Sequence, residues 1–178
     1  MVEQLTFNQW VTGSNPVALT TFPNLDSGNK YNNPSACYPS AVLALDATIT
    51  TNLRSISSED YFIGMFETAL NSNEIITKIT FPIPDKSAYI KFPNPASRYA
   101  MVGVFMAKTG NKVNIAITGA SENGVFRSSE IENALSSSCT LESLDTLNIS
   151  SDSLISDIHA SSNYRANLIK EMAKRALK

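Results

Sequence analysis

The chain has 178 residues, 43% of them hydrophobic and 17% charged. That is one average domain or two small ones, long enough to bury about 70% of its unfolded surface. Its 14 Lys plus Arg against 16 Asp plus Glu leave a formal charge of −2, which excludes a basic nucleic-acid binder and an acidic disordered chain.

The first 30 residues, rich in Asn, Pro, Gly, Ser and Thr, show no period of 2 or 3.6 and read as an irregular arm. Two cysteines and one histidine do not make a self-contained zinc site. No apolar run is long enough to span a membrane. The opening MVEQLTFNQW has no basic n-region or long apolar stretch, so no signal peptide is expected. The expected compartment is the cytoplasm, with reduced thiols.

Structure is expected from Tyr38 onward. Pro39 suits a first helical turn, and Ser40–Leu45 continues it. Ala47–Thr51 is β-branched and alternates, so it predicts a strand, followed by a short extended piece at 54–56. Ser57–Asp60 ahead of Tyr61-Phe-Ile predicts a capped helix start. Glu74–Phe81 is the clearest strand, ended by Pro82 and Pro84.

Beyond this Pro-rich joint, Ala88–Phe92 predicts a short strand broken by Pro93-Asn-Pro95. Tyr99–Ala107 and Lys112–Thr118, joined by Thr109-Gly-Asn111, predict an antiparallel hairpin with one buried face. Gly119 and Gly124 bracket an expected loop, and Ser128 opens a helix to about Leu135. In the Ser-rich stretch 136–162, Leu141, Leu144, Leu147, Leu154, Ile155 and Ile158 recur at helical spacing and predict short packed helices. Asn163–Lys178 is the best helix, with a Tyr164, Leu168, Met172 stripe and basic residues at its C-terminal end. The fold class is α+β.

Few residues point to chemistry on their own. His159 reads as a surface residue and Cys139 as a small core residue, and no catalytic residue or metal ligand is assigned. Neither phosphate-loop pattern, GxxxxGK or GxGxxG, occurs. Three stretches stand out: Asn32–Pro39, a loop entering a helix; 61–82, aromatic and β-branched; and Tyr89–Val104, where Lys91 alternates with apolar neighbours and can face a cleft.

Together these stretches carry a resemblance. The loop and helix at 32–45, S-x-E-D-Y-F-x-G-x-F-E-T-A-L at 57–70, E-I-I-T-x-I-x-F-P at 74–82 and Y-x-K-F-P-N-P-A-S-R-Y-A-x-V-G-V at 89–104 occur in fixed order. They resemble the FAD-binding medium subunit of aerobic carbon monoxide dehydrogenases, within the xanthine dehydrogenase or molybdenum hydroxylase family. Residues 114–120, 126–127, 130–135 and the C-terminal end resemble the last domain of the same subunit.

The resemblance implies an irregular arm at 1–31, a partial FAD-binding subdomain of mixed strands and short helices at 32–85, and a C-terminal α+β domain at 86–178 whose antiparallel sheet packs against helices. It implies an oxidoreductase subunit that passes electrons from 2Fe–2S clusters through FAD to an external acceptor. Its partners would be a small iron–sulfur subunit and a large molybdopterin subunit, with no nucleic acid and no membrane span. It also implies cofactor roles: Ile76 and Tyr99 against the flavin ring, Lys91 beside the isoalloxazine, and Asn32, Asn33 and Pro34 at the end of an FAD loop. Cys37 falls where many members place an Asp on the adenosine side.

The family's Gly-Gly loops for the pyrophosphate have no counterpart in residues 1–31. The chain is therefore expected to be the rear piece of a longer subunit that binds FAD weakly and is inactive alone. The alternative is a subunit-docking module that binds no FAD by itself.

Overall fold

The computed structural model describes residue 33 and residues 35–178. Helix α1 (Cys37–Ala44) comes first, and α2 (Ser58–Tyr61) is a single turn capped by Ser57 Oγ, which accepts the Asp60 N–H. Strands β1 (Thr48–Thr51), β2 (Ser55–Ser57) and β5 (Ile76–Thr80) form an antiparallel sheet in the order β2-β1-β5. Ile49 sits opposite both Ile56 and Ile79, so one apolar row crosses all three strands. Between them, β3 (Phe62–Gly64) and β4 (Glu67–Thr68) make a small hairpin, where a helix was expected beyond Tyr61. Gly64 and β-prone Phe62-Ile63 favour extended backbone over a continued helix.

The second sheet is a meander of β6 (Lys86–Pro93), β7 (Ala100–Thr109), β8 (Lys112–Ser121) and β9 (Gly124–Arg127). Helices α3 (Ser129–Ser137), α4 (Glu142–Asp145) and α5 (Ser162–Leu177) follow. The loop expected between Gly119 and Gly124 is instead mostly strand. Gly119 lies in β8 at φ +79° against the Ala100 carbonyl, and Gly124 opens β9 at φ +93°. Only glycine adopts such backbone at little cost, so both serve pairing rather than a loop.

The hairpin of β7 and β8 is buried on both faces, not on one. Val102, Val104, Met106, Ile115 and Ile117 pack on α3 and α5, with Leu168, Ile169 and Met172 from α5. On the reverse face, Phe105, Ala107 and Ala116 pack against Ala41, Leu43 and Ala44 of α1. A strand covered on both sides has no polar face, which explains the almost unbroken apolar runs of β7 and β8.

Helix α1 also belongs to a third cluster, in which Val42 and the partly buried Tyr38 meet Ile49, Ile56, Tyr61, Ile76 and Ile79. It is apolar nearly all round because it is wedged between two sheets. In the Ser-rich segment only α4 forms. Leu144 and Leu154 are buried, while Ile158 is 96% exposed and Cys139 lies on the surface rather than in the core. Serines there satisfy local turns, as Ser143 Oγ does with the Ser138 and Thr140 carbonyls, and compete with helix.

Candidate functional site

The N-terminus of α1 is built by Asn33. Its Oδ1 accepts the Ser35 N–H at 2.9 Å and its carbonyl accepts the Ala36 N–H at 2.9 Å, which turns the chain into the helix. Ala36 gives no side-chain cap, and no acidic residue stands in the first turn. The positive end of the helix dipole is thus left unneutralised by its own sequence.

Lys91 comes from β6 to this helix end. Tyr89 and Lys91, two residues apart, share the face turned toward α1, while Ala88, Ile90 and Phe92 share the face toward α5. Lys91 Nζ reaches Cys37 Sγ at 3.5 Å and the Arg98 carbonyl at 3.0 Å. Burial raises the Tyr89 phenol well above its ordinary range, and the neighbouring Cys37 thiol adds to the effect. Gly103, opposite Lys91 on β7, leaves the space that the Tyr89 hydroxyl fills.

The turn between β6 and β7 meets the same helix end through Lys91 and Ser35. Asn94 Oδ1 accepts the N–H groups of Ala96 and Ser97, and its backbone bonds to Arg98 and Tyr99 close the turn. Ala100 N–H donates to the Ser35 carbonyl at 3.2 Å, tying this turn to the loop before α1. Tyr99 is left 49% exposed at the edge.

Three of the seven cofactor-binding positions read from sequence, Asn33, Cys37 and Lys91, therefore meet at one helix N-terminus, and a fourth, Tyr99, stands in the turn tied to it by the Ala100–Ser35 bond. Ile76 does not join them: its side chain is buried in the core cluster with Val42 of α1 and Ile49 of β1. Asn32 and Pro34 lie outside the described residues. Sequence reasoning missed Asn94 and the backbone of Arg98, although Asn-Pro after a strand is an Asx-turn signal. It also missed Tyr89, which the period of two places beside Lys91.

At the other end of α1 an ion network ties the turn after the helix and α2 to the four-stranded sheet and α3. Arg127 donates to Glu132, Asp46, Glu59 and the Asn114 amide oxygen at 2.7–3.0 Å. Partial burial opposes ionisation of Asp46. The bonds from Lys112 and Asn114, with the charges of Lys112 and Arg127, outweigh it and hold the carboxyl below its ordinary range.

A cation beside an uncapped helix end, with a half-exposed phenol in the adjoining turn, suits a planar, polar-edged ring that gathers negative charge. Among the described residues, no group of three or more His, Cys, Asp or Glu side chains is placed to hold a metal ion, and no helix is long and apolar enough to cross a membrane.

Comparison with known proteins shows what the chain is similar to. Residues 28–84 match the family of the FAD binding domain in molybdopterin dehydrogenase. The glyceraldehyde dehydrogenase medium chain of Sulfolobus acidocaldarius is 30% identical over 159 residues, covering 82% of this chain and 57% of that one. The nicotine 6-hydroxylase medium subunit of Paenarthrobacter nicotinovorans is 29% identical, covering 79% and 54%. The solved Cu,Mo-CO dehydrogenase shares the fold at TM-score 0.68 and 21% identity, over 86% of this chain and 59% of that one. The chain is thus similar to medium subunits of a hydroxylase and of dehydrogenases, and it spans about half the length of the curated relatives it matches.

Proposed function

We propose that this chain carries the ring end of a flavin site in the medium subunit of a molybdenum hydroxylase. It would relay electrons that arrive from a small iron–sulfur subunit after release at a large molybdopterin subunit. The observation that carries this reading is the meeting of Lys91, Cys37 and the Asn33 turn at the N-terminus of α1, a helix within the segment matched to the FAD-binding family, with Tyr99 half-exposed in the adjoining turn.

The donor set fits part of FAD. Lys91 and the helix end suit the polar edge of the isoalloxazine, and Tyr99 suits its face. The chain has no two adjacent glycines, so the family's pyrophosphate cradle is not among these residues. When bound, the flavin supplies the acceptance and release of electrons. The chain's own part is electrostatic: the Lys91 ammonium favours a ring that has gained negative charge. The Arg98 carbonyl and Cys37 thiol hold that ammonium in place.

The test is a fluorescence titration of the purified chain with FAD, FMN and riboflavin. With only the ring end held, the three should bind weakly and within about threefold of one another, and Lys91→Gln should weaken each by about tenfold. FAD binding far tighter than riboflavin, or a Lys91→Gln variant with unchanged affinities, overturns the reading.

A further inference from the structure

Arg98 is the residue in the turn between β6 and β7 whose backbone is out of the ordinary. Its φ is +64°, in the left-handed region that L side chains with a Cβ seldom enter, and nothing about its exposed side chain demands this. Strain of this kind persists only where the surroundings impose it, and it collects at functional sites. Here the surroundings are explicit. Arg98 N–H donates to the Asn94 carbonyl at 2.9 Å, the Asn94 side chain pins Ala96 and Ser97, and Tyr99 is held from both sides by Ser97 Oγ and Asn94 N–H. The outcome is a carbonyl oxygen 3.0 Å from Lys91 Nζ.

We propose that Arg98 is a positioning residue for Lys91, acting through its left-handed main chain rather than its guanidinium. The turn presents the Arg98 carbonyl so that the ammonium stays at the α1 N-terminus, beside Cys37, instead of swinging into solvent. A lysine has four rotatable side-chain bonds, and one charge-assisted bond to a fixed oxygen removes much of that freedom before any ligand arrives. The significance of this clamp for flavin binding rests on the proposed function, but the clamp itself does not.

The two are separable by experiment. Lys91 acylation by an N-hydroxysuccinimide acetate is followed by mass spectrometry in the ligand-free chain, with exposed Lys78 as internal reference. Arg98→Val, whose β-branched side chain resists positive φ, should label Lys91 about fivefold faster than the parent chain. Arg98→Gly, which adopts positive φ freely, should label at the parental rate although it also lacks the guanidinium. Equal rates in the Val and Gly variants, whether both slow or both fast, overturn the proposal. Should Arg98→Val fail to give a folded circular dichroism spectrum, Asn94→Ala replaces it: faster labelling at Lys91 supports the clamp, and an unchanged rate overturns it. Adding FAD to the parent chain tests the functional reading separately, because flavin at this site slows Lys91 labelling further. No slowing refutes the flavin site and leaves the Arg98 result standing.

Discussion

Arg127 Nη1 stands 3.0 Å from Asp46 Oδ1, and this contact joins the last strand of the four-stranded sheet to the turn that ends α1. Asp46 itself has φ +51°, so the helix stops in a left-handed turn whose carboxylate is aimed at Arg127, Lys112 and Asn114. Residues 46, 59, 114, 127 and 132 come from both halves of the chain. The network therefore ties the C-terminal end of α1 and helix α2 to the four-stranded sheet.

Arg127→Met should lower unfolding free energy by about 2 kcal/mol, because Glu132 and the Asn114 oxygen lose a largely buried donor. Asp46→Asn should cost about 1 kcal/mol or less, since that carboxylate is 41% exposed. Urea denaturation of both single variants and the double variant checks this, and the double should fall short of the sum.

Acid should act first through Glu74. Its carboxylate accepts from Arg54, from the Asn71 N–H and from Thr51, and these bonds hold its pKa at about 2, below the ordinary 4.5. The unfolded chain binds this proton more readily. The stability that Glu74 contributes is present in full above the ordinary value and is lost as pH falls from about 4.5 toward 2. Urea midpoints against pH should drop more steeply across that window in the parent chain than in Glu74→Gln.

Gly119→Ala should destabilise by about 3 kcal/mol, from positive φ and from a methyl group driven into the Ala100 carbonyl. Gly110→Ala, at similar φ but in open space, should cost only about 1 kcal/mol. Thermal unfolding of the pair separates conformational cost from collision.

Arg165 is 4% exposed and gives Nη1 to the Met101 and Gly119 carbonyls at 2.7 and 2.9 Å, while Nη2 meets Asp157 at 2.7 Å. Arg165→Met should cost about 3 kcal/mol, because two buried carbonyls lose their donor. Since α5 then loses its anchor to β7 and β8, hydrogen exchange should accelerate there before it does in β1 or β5.

Much of this was legible from local chemistry. The β-branched run at 76–80 became β5, Ser57 capped α2, and the stripe of α5 buried Leu168 and Met172 as its spacing requires. The family resemblance rested on motifs whose order survives in a single sequence. Local signals misled where a contact from afar decided the matter. The hairpin of β7 and β8 gained a second buried face because α1, about 60 residues earlier, packs on it. Ile158 keeps a helical spacing yet stays exposed, since no helix forms there to turn it inward.

The sequence by itself determined most of the longer elements, the mixed α and β class and the residue kinds available for a flavin: a lysine on an alternating strand, a loop entering a helix, and no paired glycines. Only the tertiary structure decided which of them meet. Lys91 and Cys37 are 54 residues apart yet touch, because α1 must bury apolar surface on both sides and is drawn between the two sheets. The same burial that brings Lys91 to the helix end takes the side chain of Ile76 into the apolar cluster around Ile49. Hydrophobic packing is non-directional and long in range along the chain, so it places the site, while the short hydrogen bonds of Asn33, Asn94 and Arg98 set its edges.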